Sequence, residues 1–377
     1  MKKKMGYYFR VVLLLFAVSP LFSKVVEAEE QITSDGYVYT EHWEGDAYSI
    51  TGYQGEGGEI TIPGKINGKK VKSISGFMNN DTITKITIGE GVVSLGNEAF
   101  GNCSQVTQIM IPASLESVSN AFVSCHSLEK FTVAKKNKKF YTIDGVLIGK
   151  YPTGVSLAAY PGGRKGSYTI PKKVTQIGEQ SFFGAVNLSK ITIPKTCKEM
   201  YPNAFDGCTS LTTVDIKSGG IKYLGYKAFA NCTSLKQVNI SADISGMDSA
   251  FVGCTTLKKV KLDKKNPYML QKKGVLYSTY KNYRELFVLL GEVTLDNGVY
   301  TVPSNIYRVS GGAFGAVEGL ESVDFSKSKV EEFHLYQWKG FKGNQIIVKK
   351  GSKLAESIRN EDTLSSDEGI IKVKYVK

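Results

Sequence analysis

Apolar residues recur along this chain at positions 0, 3 and 5 of a short unit. Leu188-Ser-Lys-Ile191-Thr-Ile193, Leu211-Thr-Thr-Val214-Asp-Ile216 and Leu235-Lys-Gln-Val238-Asn-Ile240 share the pattern, as do Leu257 to Leu262 and Leu320 to Phe325. The last two apolar positions flank a polar one. That alternation predicts a short strand with one face inward and the other toward solvent. Pro112, Pro171, Pro194 and Pro303 follow such strands directly. Proline lacks the ladder donor, so it ends the strand and opens the turn. A second apolar pair, as in Val174-Thr-Gln-Ile177-Gly178 and Val92-Val-Ser-Leu95-Gly96, returns to the same core from the opposite side.

A third landmark, usually Ala-Phe, repeats with these. Taken at Phe77, Phe100, Phe122, Phe183, Phe205, Phe229, Phe251 and Phe314, its spacings are 23, 22, 61, 22, 24, 22 and 63. A period in the low twenties predicts a leucine-rich solenoid, in which the same strand of successive coils pairs in parallel. The phenylalanines should stack as a buried aromatic spine, each ring contributing roughly 1.5–3 kcal/mol. One coil cannot hide its own apolar edge, so neighbours stabilise it and the ends need caps.

The two long gaps exceed a 22-residue unit by about 39 and 41 residues (61−22 and 63−22). Turn residues beside aromatic and β-branched runs, at Asp144-Gly145-Val146-Leu147 and Gly274-Val275-Leu276-Tyr277, predict a β-hairpin insertion in each. The expected fold is therefore mainly β. A solenoid with a parallel strand stack runs over 63–335, with insertions at about 135–168 and 264–300. Residues 29–62 and 336–377 are expected as an N-terminal β cap and a C-terminal cap. Residues 1–28 read as a signal peptide. Lys2, Lys3, Lys4 and Arg10 precede an apolar run from Val11 to Phe22, and Val26-Glu27-Ala28 offers small residues for cleavage. The run is too short to span a bilayer, and no membrane span is expected after cleavage.

Composition narrows the function classes. The chain has 377 residues, 48 Lys+Arg, 35 Asp+Glu, three His and six Cys. So few histidines leave no His-rich metal site, and the six cysteines make no zinc-ribbon pattern. His42, His126 and His334 sit in no nucleophile–base–orienter motif. No phosphate-binding glycine motif surrounds Gly162-Gly163 or Gly219-Gly220. Catalytic residues, cofactors and metals are not expected, nor is specific nucleic-acid binding, since no recognised module is present. From residue 29 onward 43 basic residues face 34 acidic ones, an excess that favours contact with anionic wall polymers.

The unit L-x-x-I-x-I-P-x-x-V-x-x-I-G-x-x-A-F-x-x-C, with the Gly-Val-Leu inserts and the closing Ile347-Val348-x-x-Gly351-Ser352, resembles the BspA-type leucine-rich repeats of bacterial surface proteins. The resemblance covers nearly all of the chain after residue 28. It implies a secreted or surface-attached interaction protein, adhesive in some members. The sequence departs from that pattern in lacking an LPxTG-like sorting signal, a repeated wall-binding module and an Ig-like stalk.

Five cysteines, Cys103, Cys125, Cys208, Cys232 and Cys254, follow the repeat phenylalanine by three residues. Parallel strands stack close enough for neighbours such as Cys103 and Cys125 to bridge. Three consecutive members (208, 232, 254) cannot all pair, which favours small buried side chains filling the turn. The candidate ligand face is the outward side of the strands. One column holds Lys85, Gln108, Lys130, Lys190, Thr213, Gln237, Lys259 and Ser322. Its neighbour holds Thr87, Met110, Thr132, Thr192, Asp215, Asn239, Lys261 and Asp324. Arrays of this kind are where solenoids commonly bind. The expected function is non-catalytic contact with a protein or glycan at a bacterial or host surface. The alternative is a basic structural protein held to anionic wall polymers by charge alone.

Overall fold

The structure is a computed structural model that describes residues 30–280, 284–332, 338–359, 364–366 and 369–377. The expected signal segment 1–28 and His334 lie outside the described residues. Most coils supply one long and one short strand, and their apolar sides meet between them. The long strands pair in parallel in three panels. The first contains Gly58–Ile62, Ile83–Ile88, Gln108–Ile111 and Lys130–Val133. The second contains Gly166–Thr169, Leu188–Ile193, Thr213–Ile216, Gln237–Ile240 and Lys259–Leu262. The third contains Val299–Thr301, Ser322–Asp324, Gln345–Lys349 and Lys372–Val376. The one described α-helix, Lys353–Arg359, buries Leu354, Ala355 and Ile358 against the third panel's core.

At the N-terminus, Tyr37–Glu41 and Ala47–Tyr53 form an antiparallel hairpin whose second strand pairs in parallel with Lys69–Ile74. Gly58–Ile62 follows within the segment expected as a cap, yet it is already the first long strand. In the expected C-terminal cap, Gln345–Lys349 and Lys372–Val376 likewise continue the parallel sheet.

The aromatic spine runs through the core. Phe182 and Phe205 lie with ring centroids 4.4 Å apart, Phe205 and Phe229 5.0 Å, and Phe229 and Phe251 5.9 Å, all stacked. Phe77, Phe100 and Phe122 continue it in the first panel. One residue of the expected spine is corrected: the ring belongs to Phe182, not Phe183. Phe182 is 1% exposed and donates its amide to Ala204 O at 2.8 Å, as Phe205 does to Ala228 and Phe229 to Ala250. Phe183 is one position out of phase and only half-buried. Tyr53 and Trp338 extend the stack at its two ends, against Phe77 and Phe314.

In six coils the spine is flanked by two left-handed backbone positions. The residue two before the phenylalanine has positive φ at Glu98 (54°), Asn120 (51°), Gln180 (51°), Asn203 (53°), Lys227 (53°) and Ser249 (51°). The residue two after it has positive φ at Asn102, Ser124, Gly184, Gly207, Asn231 and Gly253. Asn and Gly recur there because they tolerate this region best. At Gly184 a Cβ would also meet the Ser124 hydroxyl oxygen at 2.7 Å.

The two gaps each hold two coils rather than one enlarged coil. Tyr160 and Leu289 occupy spine positions, and their amides donate to Ser181 O (2.7 Å) and Ala313 O (2.8 Å) in the repeat's own inter-coil bond. Each is 38 positions after the preceding spine residue, Phe122 or Phe251. The true excess is therefore about 16 residues per insert against a 22-residue unit, and it is a hairpin: Phe140–Ile143 with Val146–Tyr151, and Met269–Lys272 with Val275–Ser278. The third strand of each meander, Gly154–Ala159 or Arg284–Leu289, rejoins the short-strand column in parallel.

These hairpins divide the interior. Leu147 faces the first core, and Val146 and Ile148 on either side of it face the second. Val275 faces the third core and Leu276 the second. Alternate side chains of one strand point to opposite faces, so consecutive apolar residues mark a strand buried on both sides. One asparagine pins each hairpin to the coil before it. Asn137 Nδ2 donates to Pro112 O (2.7 Å) and Leu115 O (3.1 Å), and its Oδ1 accepts from the amides of Lys139 and Phe140. Asn266 repeats this with Ser241 O (2.9 Å), Ile244 O (2.8 Å), Tyr268 and Met269.

Candidate functional site

Parallel pairing sets the outward columns in register. Glu59, Lys85, Gln108 and Lys130 are direct partners in the first panel, beside Thr61, Thr87, Met110 and Thr132. Ser167, Lys190, Thr213, Gln237 and Lys259 are partners in the second, beside Thr169, Thr192, Asp215, Asn239 and Lys261. Ser322 and Asp324 stand in the third, paired with Gln345 and Ile347. The structure thus brings together the residues expected within each panel, but not across panels. The first hairpin separates Lys130 from Lys190. Its Gly145 carbonyl accepts the amide of Phe131 at 2.8 Å, beside Lys130.

The lysine column is also less charged than it reads. Lys85 forms an ion pair with Glu59, its neighbour on the preceding strand. In the second panel the polar groups bond to one another. Gln237 Nε2 donates to Asn239 Oδ1 (2.8 Å), Asn239 Nδ2 to Asp215 Oδ1 (3.3 Å), and Lys217 Nζ lies 2.7 Å from Asp215 Oδ2. Burial raises the Asp215 carboxyl, but the Lys217 ammonium and the Asn239 amide outweigh it, and the net shift is downward. Lys190, Lys259 and Lys261 rim this network, exposed. Neither Glu59 nor Lys217 stands out in the sequence, because their partners are fixed only by strand register and the turn after the strand.

The cysteine column is structural. Cys103, Cys125, Cys208, Cys232 and Cys254 are buried free thiols whose Sγ donates to the carbonyl of the previous coil's spine phenylalanine, at 3.0–3.2 Å. Cys208 thus bonds to Phe182 O, again placing Phe182 in the spine. Cys197 lies outside the column and donates to Val174 O at 3.6 Å. Burial pushes the Cys103 thiol up to about 11 and those of Cys125 and Cys197 to about 12.

The histidines have structural roles where described. His126 Nδ1 donates to Gly184 O at 2.9 Å, bridging the coils on either side of the first insert. His42, Glu44 and Asp46 bring ligand atoms within 4.8 Å of one another. The Lys72 ammonium already sits there, 2.6 Å from Glu44 and 2.9 Å from Asp46. A lysine supplies the positive charge that a metal would bring, so this residue set does not fit an additional cation.

Residues 59–143 and 163–272, just over half of the chain, match the model of the BspA type leucine rich repeat region in six copies. This chain belongs to that family. The break between the two matched stretches holds the turn and second strand of the first hairpin and the strand Gly154–Ala159 that rejoins the short-strand column. Three solved structures are also similar to it. A leucine-rich cell surface protein of Faecalibacterium prausnitzii is 17% identical, over 75% of this chain and 94% of that one, with a TM-score of 0.35. A leucine-rich repeat protein of Eubacterium ventriosum is 18% identical over 83% and 98%, with a TM-score of 0.41. The pneumococcal vaccine antigen PcpA is 14% identical over 93% and 99%, with a TM-score of 0.44. No curated protein matches the chain in sequence. Among the described residues, no helix is long and apolar enough to cross a membrane.

Proposed function

We propose that this BspA-type protein is a secreted or cell-surface, non-catalytic interaction protein that contacts a protein partner through the long-strand face of its second panel. The observation that carries this reading is the in-register array of Lys190, Thr213, Gln237 and Lys259 beside Thr192, Asp215, Asn239 and Lys261. Five parallel strands hold these donors and acceptors on a rigid sheet, so little side-chain order is lost when a partner docks. Residues 1–28, read as an export signal, and adhesion belong to the same proposal. Attachment by charge alone is less favoured, because Lys85 is neutralised by Glu59 and a hairpin interrupts the lysine column.

The test is affinity capture from bacterial and host cell-surface extracts by the protein and by a Lys190→Glu/Gln237→Lys/Lys259→Glu variant, with Lys198→Glu on the opposite side as control. The proposal expects a partner held by the protein and the control but lost by the triple variant. Equal capture by all three would overturn it, as would complete release from cells by moderate salt, which screens exposed charge.

A further inference from the structure

A cleft of about 400 Å³ opens on the short-strand side, between the coils at 223–248 and the second insert. Two tyrosines stand at it, Tyr223 and Tyr280, 65% and 54% exposed. Single exposed rings are ordinary, but two rings at one concave site rimmed by polar groups mark a binding site. Tyr223 pairs directly with Gly246 in the neighbouring short strand, and a Cβ there would lie 3.0 Å from the ring. The absent side chain leaves the ring lying beside bare backbone. Asp248, Glu285 and Arg308 are the charged residues of the cleft's lining. Glu285 and Arg308 occupy paired positions on adjacent parallel strands, and the Ser310 hydroxyl donates to Glu285 Oε1 at 2.7 Å.

The first insert shows that this cleft is not a by-product of the hairpin. Cross-strand pairing makes Gly149 the counterpart of Ser278, since they face Phe140 and Met269 in the two hairpins. Tyr151 is then the counterpart of Tyr280. Tyr151 folds back over its own strand, so closely that a Cβ on Gly149 would meet the ring at 2.6 Å, and Lys139 covers it with the ammonium 4.2 Å from the ring centroid. Ser278 supplies that Cβ, so Tyr280 cannot fold back and projects outward. By the pairing of the rejoining strands, Ser156 and Gln176 stand in the first insert where Glu285 and Arg308 stand in the second. The second insert thus differs at each of these positions, in ring exposure and in charged groups.

We infer that this cleft is a carbohydrate site that takes a neutral pyranose ring of a glycan. The apolar C–H face of a pyranose stacks on flat aromatic rings, and its hydroxyls suit carboxylate acceptors and a guanidinium donor. Two carboxylates against one guanidinium disfavour a phosphate or an anionic polymer, which separates this site from the lysine-rimmed sheet face. The site is independent of the protein-contact reading.

The test titrates maltotriose, cellotriose and chitotriose separately into the protein, with saturation-transfer NMR to identify the bound ring and calorimetry to measure Kd. At least one is expected to bind in the millimolar range or tighter. Tyr223→Ala and Tyr280→Ala should each weaken it about tenfold. Ser278→Gly should weaken it as well, because Tyr280 can then fold back. Tyr151→Ala and Lys190→Glu/Lys259→Glu should leave it unchanged. Both tyrosines are exposed, so circular dichroism should match the parent for their variants. No binding by any of the three sugars at about 10 mM, or unchanged affinity in both tyrosine variants, would overturn the assignment.

Discussion

Replacing Asn266 by Ala tests how the second insert is held. The side chain is 9% exposed and makes four hydrogen bonds, two donated to Ser241 O and Ile244 O and two accepted from the amides of Tyr268 and Met269. A net contribution of about 1 kcal/mol per bond gives about 4 kcal/mol. Partial access of water to the freed groups lowers the expected loss to about 3 kcal/mol. Asn266→Asp is the sharper variant. It keeps both acceptor bonds but aims a carboxylate at two carbonyl oxygens, so at neutral pH it should cost at least as much as alanine. Urea unfolding followed by far-UV dichroism and by fluorescence of the buried Trp338 reads the change as a lower midpoint at constant slope. A loss below about 1 kcal/mol for Asn266→Ala, or an Asp variant as stable as the parent, would refute the idea that this residue pins the hairpin.

Other expectations follow from the core. Phe205→Ala should cost about 3–5 kcal/mol, since the ring is clasped between Phe182 and Phe229, whereas Phe183→Ala should cost under about 2 kcal/mol; equal losses in a denaturation series would restore Phe183 to the spine. None of the six cysteines should react with a thiol reagent at pH 8 in native buffer, and all six should react in denaturant, because all six are buried and burial also holds the thiols of Cys103, Cys125, Cys197 and Cys232 above their ordinary value; rapid labelling of the native protein would contradict this. Burial raises the Asp206 carboxyl, against the opposing effect of the Asn231 amide that donates to it. A carboxyl whose folded pKa lies above its unfolded value destabilises the fold at neutral pH, and the penalty fades as pH falls through the folded and then the unfolded pKa. Asp206→Asn should therefore raise the urea midpoint at pH 7 and lose that advantage in strong acid; an advantage that grows on acidification would reverse the sign of the argument.

Much of this molecule is written in short-range pattern. The 0, 3, 5 apolar spacing, the Ala-Phe landmark and the cysteine three residues on place most core residues, the strands and the parallel register, because each depends on neighbours within one coil and repeats every twenty-odd residues. The family follows from the same pattern. Where two candidates stood side by side, as at Phe182 and Phe183, spacing within a residue or two could not choose between them. The inter-coil amide and thiol bonds to Ala204 O and Phe182 O decide it.

Tertiary structure alone decided the rest. A hairpin is legible from turn residues, but whether it lies on a flank or divides the interior depends on what covers its second face. Val146, Leu147 and Ile148 are all buried because cores lie on both sides. That division splits the lysine column into panels, while parallel pairing sets Glu59 beside Lys85. The cleft has the same origin, since Tyr223 and Tyr280 lie 57 positions apart in the chain and line one cleft only because the second insert rejoins the short-strand column. Sequence period reports what one coil repeats, and contacts between coils arise only where stacking places them.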